Sequence, residues 1–281
     1  MAIKMIAFDL DGTALDDKKT MTPRTKSALE KAVEQGIEIV PATGRAFCGV
    51  PEIVTSLKGV RYVLTSNGAA VCEIKTGKCI YENNMPLAQT LPLMEKLEPL
   101  EIMADAFVEG LCYMKKKNQC LIERIDVSAE MKDYLVNSRI CVENVTEFLR
   151  EKGADIEKLS ILFAKNPDGT FQNKDEVIAI LKEFPEFIFV SGGLDNIEVT
   201  VKSASKGDAV IKLGKILNIQ REEIMAFGDS GNDLEMIRAA GVGVAMENAE
   251  REIKEAADVI TRSNVEDGMA HTIETMVFTA H

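Results

Sequence analysis

Short apolar runs alternate with helical segments along the first part of the chain, and each run ends in a polar cluster that contains glycine. The runs cover residues 3–8, 37–42 and 62–65, and they end at Asp-Leu-Asp-Gly, Thr-Gly-Arg and Ser-Asn-Gly respectively. A helix is predicted between the first two runs, because Thr22 and Pro23 form a typical helix start and Gly36 a typical end. This alternation predicts an α/β fold with a doubly wound parallel (Rossmann-like) sheet.

The last third of the chain has the same organisation. Ser205 is a typical cap for a helix, and a predicted strand at 223–227 ends at the polar cluster 228–233. Two further short strands are predicted at 242–246 and 258–261. Because ligands bind beyond the carboxyl ends of parallel strands, we expect clusters that are distant in sequence to meet at one edge of the sheet.

The middle of the chain lacks this organisation. The polar cluster at Thr43 and the predicted helix start at Lys206 are much further apart than one more helix and strand would require. We therefore predict a catalytic core formed by residues 1–84 and 197–281, with a smaller α+β domain, residues 85–196, inserted in it.

The composition restricts the classes of partner. The net charge of −12 argues against nucleic acid or an anionic membrane surface as the main partner. No apolar stretch is long enough for a membrane helix, and the N-terminus does not have the pattern of a signal peptide. The six cysteines include no C-x-x-C pair, so we expect reduced, mostly buried thiols in a cytoplasmic protein.

Acidic residues dominate the predicted site. Asp9, Asp11, Asp229 and Asp233 would bring four carboxylates together, and their mutual repulsion would raise their pKa values unless a cation intervened. A hard divalent cation is the natural ligand of such oxygens. The loop that begins at Asp229 lacks the glycine and the final acid of an EF-hand. With only two histidines in the chain, any acid–base chemistry must rest on carboxylates.

The clusters resemble the four ordered motifs of the haloacid dehalogenase (HAD) superfamily of phosphotransferases. The first motif matches residues 9–13, the second Thr43, the third Lys206 with Gly207, and the fourth residues 228–233. The segments 245–249 and 263–268 are similar to the Cof-type subgroup of sugar-phosphate phosphatases. The resemblance covers the predicted core and becomes thin across residues 84–196. It implies that the inserted domain is a type II (C2B-like) cap that contributes to substrate specificity.

The resemblance also implies catalytic roles for these residues. Asp9 would be the nucleophile that forms an aspartyl-phosphate, and Asp11 would protonate the leaving group and then activate water. Thr43 and Lys206 would hold the transferring phosphoryl oxygens. Mg²⁺ would be the cofactor, bound by Asp9, the backbone carbonyl of Asp11 and Asp229.

The remaining site residues are expected beside the metal and the substrate. Asp233 is expected at the metal site, where it would orient a metal-bound water or Lys206. Candidate substrate contacts are Gly44, Arg45, Asn67 and Asn232, and Asn232 would also support the fourth motif's loop. For Arg45 and Asn67 a structural salt bridge or turn is the alternative.

The function predicted from these residues and from the resemblance is Mg²⁺-dependent hydrolysis of a small phosphorylated metabolite, with a sugar phosphate as the favoured class. A phosphomutase on the same scaffold is a close alternative. A signalling receiver also combines a phosphorylated aspartate with threonine, lysine and Mg²⁺, but the Asp-x-Asp arrangement and the acid–base group Asp11 favour an enzyme. A catalytically inactive sugar-phosphate sensor is disfavoured because all the catalytic residue types are present.

Overall fold

The computed structural model describes residues 2–190 and 196–279. These residues form two compact units. The first comprises residues 2–45, 50–82 and 204–279, and the second comprises residues 46–49, 83–190 and 196–203. The second unit thus extends beyond the predicted inserted span of 85–196 at both ends and also includes the short segment 46–49.

The strands, in chain order, are β1 (Met5–Phe8), β2 (Glu38–Pro41), β3 (Tyr62–Thr65), β4 (Ala70–Glu73), β5 (Cys79–Glu82), β6 (Met103–Val108), β7 (Leu111–Lys115), β8 (Arg139–Val142), β9 (Lys158–Leu162), β10 (Phe187–Val190), β11 (Asn196–Val201), β12 (Ile224–Gly228), β13 (Val242–Ala245) and β14 (Val259–Ile260). The α-helices are α1 (Pro23–Glu34), α2 (Glu52–Thr55), α3 (Leu87–Leu97), α4 (Ala129–Ser138), α5 (Val145–Lys152), α6 (Lys174–Leu181), α7 (Lys206–Ile216), α8 (Leu234–Ala239), α9 (Arg251–Ala256) and α10 (Gly268–Thr272).

The main sheet of the first unit has five parallel strands in the order β14-β13-β12-β1-β2. Successive side chains of β1 pack on opposite faces of this sheet, as the alternation of side chains along a strand requires. Ile6 and Phe8 join the core beside α1, whereas Met5 and Ala7 join the core beside α7. Helices therefore cover both faces, and the predicted doubly wound parallel α/β fold is confirmed.

The third apolar run, residues 62–65, is the exception to the predicted parallel order. It forms β3, which pairs antiparallel with β4 in a separate three-stranded sheet, β3-β4-β5. Its link to the main sheet is a single parallel bridge between Ala42 and Leu64. The turn at residues 66–69 returns the chain directly alongside β3, so hairpin pairing satisfies the hydrogen bonds that a parallel neighbour would otherwise provide.

The expectation of reduced, mostly buried cysteines is wrong. Cys72 and Cys79 lie opposite each other on β4 and β5 and form a disulfide. The hairpin register brings the two residues together, which spacing alone did not indicate. Of the free cysteines, Cys112 is buried, whereas Cys48, Cys120 and Cys141 are exposed.

The second unit contains a six-stranded mixed sheet in the order β10-β11-β9-β6-β7-β8. Its pairs are antiparallel except for β7 with β8. Helices α3, α5 and α6 contribute to a hydrophobic core with side chains of these strands, for example Leu93, Leu149 and Val177. The unit is an α+β structure. Among the described residues, no helix combines the length and the apolar character needed to cross a membrane.

Candidate active site

Two acidic residues leave neighbouring parallel strands at the same edge of the main sheet. Phe8 of β1 pairs with Phe227 of β12, so Asp9 lies one residue beyond this pair and Asp229 lies two residues beyond it. The backbone N–H of Asp9 donates to the carbonyl of Phe227 at 3.1 Å, which continues the ladder by one residue. Asp9 is buried with 6% of its surface exposed. The parallel register therefore brings Asp9 and Asp229 to the same edge of the sheet, where their carboxylate oxygens lie within 4.8 Å of each other.

Lys206 is fully buried between two carboxylates. It is the first residue of α7, whose N-cap Ser205 accepts a hydrogen bond from the backbone N–H of Asp208 at 3.0 Å. Its Nζ donates to Asp9 Oδ1 at 2.5 Å and to Asp233 Oδ1 at 2.6 Å. Burial opposes the charge of Lys206, but the carboxylates of Asp233 and Asp9 outweigh this and raise its pKa. Lys206 is therefore a permanent cation.

Asp9 and Asp229 have raised pKa values despite the nearby lysine. Burial raises the pKa of Asp9 to about 7, against the opposing charge of Lys206 and with a further contribution from Asp233. Burial also raises the pKa of Asp229 to about 6, opposed by a hydrogen bond from Thr13. Lys206 therefore does not fully compensate for the burial of these two carboxylates, and a bound cation would lower their pKa values.

Three carboxylates are close enough to share an ion. One oxygen from each of Asp9, Asp229 and Asp233 lies within 4.8 Å of the others. Hard oxygen donors in a partly buried cluster fit Mg²⁺. The Thr13 hydroxyl donates to Asp229 Oδ1 at 2.7 Å and orients this carboxylate. Gly12 has φ +88° and packs so closely on the Asp229 carboxylate that a Cβ atom would collide with it.

Both oxygens of Asp233 have partners within the protein. Its Oδ1 accepts from Lys206, and its Oδ2 accepts from the backbone N–H groups of Asp229 and Ser230 at 3.0 and 3.1 Å. These contacts fix the loop that carries Asp229 and tie it to Lys206. Of the two contributions predicted for Asp233, this geometry favours the orientation of Lys206 over that of a metal-bound water.

Asp11 lies apart from the carboxylate cluster and is paired with two cations. Arg45 Nη2 donates to both of its carboxylate oxygens at 3.0 and 3.1 Å, and Lys19 Nζ lies 2.9 Å from Oδ1. Burial acts to raise the pKa of Asp11, but the hydrogen bond from Lys19 and the charge of Arg45 hold it below its usual value. Arg45 thus makes the salt bridge that was the alternative to a substrate contact.

Hydrogen bonds connect the loop after β2 with β3, and the fourth motif's loop with the loop after β3. Thr43, which is buried, donates its N–H to Leu64 at 2.9 Å, and its hydroxyl accepts from the N–H of Arg45 at 3.1 Å. Asn232 Nδ2 donates to Asn67 Oδ1 at 3.0 Å, which connects the fourth motif's loop to the loop after β3. Gly44 lies against the Asn67 amide, where a Cβ would approach Oδ1 to 2.8 Å.

Sequence reasoning missed the contacts of Thr13 and Lys19. Thr13 belongs to the first motif, and its hydroxyl could have been considered as a partner for a metal ligand. Lys19 gave no such signal, because its contact depends on a turn in which Asp16 accepts from the N–H groups of Lys18 and Thr20. Lys19 itself is left-handed, with φ 59°.

Comparison with known proteins establishes the family. The sequence profile of the haloacid dehalogenase-like hydrolases matches residues 6–273. The chain belongs to this family, as its motifs predicted. Relatives across nearly the whole length carry phosphatase names, and the predicted enzyme class, a phosphomonoester hydrolase, is confirmed.

Individual relatives have similar lengths to this chain. Phosphatase YwpJ of Bacillus subtilis (strain 168) is 31% identical, over 97% of this chain and 99% of that protein. The 5-amino-6-(5-phospho-D-ribitylamino)uracil phosphatase YcsE of the same organism is 30% identical, over 96% of this chain and 94% of that protein. The crystal structure of TM0651 from Thermotoga maritima superposes with a TM-score of 0.81 at 26% identity, covering 98% of this chain and 97% of that one.

Proposed function

We propose that this enzyme is a Mg²⁺-dependent phosphatase that hydrolyses a small phosphorylated metabolite, a sugar phosphate being the favoured class, through an aspartyl-phosphate on Asp9. The observation that carries the proposal is the buried group in which Lys206 joins Asp9 to Asp233 and Asp229 lies beside them. A lysine bound to a carboxylate nucleophile favours its charged form and places a cation beside the phosphoryl group.

In the first half-reaction, a carboxylate oxygen of Asp9 forms a bond to phosphorus while the bond from phosphorus to the ester oxygen breaks. Asp11 gives its proton to the leaving alkoxide. In the second half-reaction, water attacks the phosphorus, the bond to Asp9 breaks, and Asp11 accepts the proton of the water. Because the pairing with Arg45 and Lys19 keeps Asp11 ionised, Asp11 must leave this pairing and take up a proton from solvent before the first half-reaction.

The other groups bind the transferring phosphoryl and the metal. Thr43 and Lys206 stabilise the phosphoryl oxygens where negative charge develops. Asp9, Asp229 and the backbone carbonyl of Asp11 would hold Mg²⁺, which supplies further positive charge for those oxygens. Candidate contacts to the rest of the substrate are Gly44, Arg45, Asn67 and Asn232.

The substrate class rests on the relatives and on the sequence. The similarity to a phosphatase of 5-amino-6-(5-phospho-D-ribitylamino)uracil supports a small phosphorylated metabolite. We assign substrate specificity to the predicted cap, residues 85–196. The cytoplasm remains the location predicted from the sequence, although a disulfide such as Cys72–Cys79 is rare in cytosolic proteins.

Phosphate release from p-nitrophenyl phosphate tests the reaction. We expect turnover with Mg²⁺ and none after EDTA treatment. Asp9→Asn should abolish turnover and leave the circular dichroism spectrum unchanged, because the nucleophile is lost with little change in shape. Asp17→Asn is a control, since Asp17 is a nearby exposed acid. Turnover by Asp9→Asn, or full activity in EDTA, would contradict the proposal.

A panel of sugar phosphates tests the substrate class and the phosphomutase alternative. We expect inorganic phosphate and free sugar in equal amounts, with kcat/KM for the best sugar phosphate well above that for p-nitrophenyl phosphate. A product in which the phosphate has moved to another hydroxyl, without phosphate release, would instead identify a mutase.

A further inference from the structure

Three consecutive left-handed residues follow β3. Ser66, Asn67 and Gly68 have φ values of 50°, 55° and 92°. Left-handed backbone is strained for residues other than glycine. Such strain is retained where contacts with the surrounding structure hold the backbone in that conformation. Ser66 and Gly68 are buried, so this turn, residues 66–68, is enclosed by protein.

The turn is bound to two segments that carry proposed catalytic residues. The backbone N–H of Asn67 donates to the carbonyl of Thr43 at 3.1 Å, and that of Ser66 donates to Arg45 at 2.8 Å. On the other side, Gly68 packs on the carbonyl of Ser205 so closely that a Cβ would collide with it. Lys206 is the next residue. The turn therefore fixes both the loop of Thr43 and the start of α7.

The side chain of Asn67 reaches a third segment. Its Oδ1 accepts from Asn232 Nδ2 at 3.0 Å, and its amide packs on Gly44. Asn232 immediately precedes Asp233, which binds Lys206. One amide thus connects the loop of Thr43 with the loop that carries Asp229 and Asp233.

We propose that Asn67 is a positioning residue for phosphoryl transfer, which holds the segments of Thr43, Lys206 and Asp233 in their catalytic arrangement through its left-handed backbone and its amide. The inference rests on the proposed function of these three residues. Glycine would satisfy the backbone at this position without strain. What asparagine adds is the amide that binds Asn232.

The test compares Asn67→Gly with a matched control, Asn218→Gly. Asn218 is an exposed asparagine in the turn after α7, and its φ of 56° is nearly that of Asn67. Both substitutions place glycine at a left-handed position, so their effects on the melting temperature should be small and alike. Only Asn67→Gly removes the amide that accepts the hydrogen bond from Asn232.

With p-nitrophenyl phosphate and saturating Mg²⁺, we expect Asn67→Gly to lower kcat roughly ten-fold and to change KM by less than about two-fold. A roughly ten-fold decrease is within the range that the loss of one hydrogen bond can produce. Asn218→Gly should keep the wild-type kcat. Asn232→Ala should lower kcat similarly, and the double variant Asn67→Gly/Asn232→Ala should be no slower than the slower single variant, because both remove the same contact.

A wild-type kcat in Asn67→Gly, or additive losses in the double variant, would overturn the positioning role and leave the proposed function intact. A loss of kcat accompanied by a lowered melting temperature that Asn218→Gly does not show would overturn it as well, since general destabilisation would then explain the loss. An inactive wild-type enzyme would instead contradict the proposed function and, with it, this inference.

Discussion

Lys206→Met removes the single positive charge from a buried group of carboxylates. In the intact protein Lys206 is fully buried and binds Asp9 and Asp233, which are themselves 6% and 0% exposed. The substitution conserves much of the side-chain volume but leaves two buried carboxylates without their cation. Removing one partner from a buried ion pair costs about 3–5 kcal/mol, because the remaining charge is uncompensated.

The expected loss depends on pH because Asp9 can take up a proton. Its pKa is about 7 with Lys206 present, and the charge of Lys206 lowers it. Without that charge, the folded-state pKa rises further above the unfolded value of 3.8. The folded variant then binds a proton that the unfolded chain does not, so its stability falls as pH rises through this window. We therefore expect a larger destabilisation at pH 8 than at pH 6.

Thermal unfolding in EDTA measures this effect without a metal to replace the missing charge. A loss of about 3–5 kcal/mol corresponds to a decrease in Tm of about 6–20 °C for a chain of this size. Lys212→Met is the matched control, because Lys212 is an exposed lysine on the same helix. A Tm for Lys206→Met within about 2 °C of wild type, or an equal decrease at pH 6 and pH 8, would refute the reasoning.

Three further outcomes are expected. Thr13→Val should raise the Mg²⁺ concentration for half-maximal activity roughly ten-fold or more, since it removes the hydrogen bond that orients Asp229; an unchanged Mg²⁺ titration would contradict this. Burial raises the pKa of Asp105 to about 6 against the charge of Arg139, so the stability of wild type relative to Asp105→Asn should decrease by about 2 kcal/mol from pH 4 to pH 7 in urea titrations; a constant difference would disprove it. Thiol titration of the denatured, unreduced protein should find four free cysteines, because one pair is joined, and six would exclude the disulfide.

Local sequence patterns predicted the elements that depend on local chemistry. The helix predicted to start at Thr22 and Pro23 and to end at Gly36 is α1, Pro23–Glu34. Thr22 caps α1 as its hydroxyl indicated, accepting from the N–H of Thr25. The sequence also predicted that Asp9 and Asp229 meet, because parallel strands carry the residues that follow them to the same edge of the sheet.

The sequence did not predict the features that depend on how neighbouring segments pair with one another. The third apolar run joined a separate antiparallel sheet, because nothing within residues 62–65 specifies its neighbour. The Cys72–Cys79 disulfide depends on the register of β4 with β5. The pairing of Lys19 with Asp11 depends on one left-handed turn. In each case the feature is determined by a contact between two segments, and the sequence of either segment alone does not specify that contact.

The identity of the phosphorylated residue is the most direct test of the proposed chemistry. Asp11→Asn should slow hydrolysis of the intermediate, so that phosphoenzyme accumulates after mixing with p-nitrophenyl phosphate and Mg²⁺. Acid quenching followed by borohydride reduction converts an aspartyl-phosphate to homoserine, which peptide mass spectrometry locates. We expect homoserine at position 9. Homoserine at position 229 or 233, or an unmodified Asp9 in a variant that still turns over, would contradict Asp9 as the nucleophile.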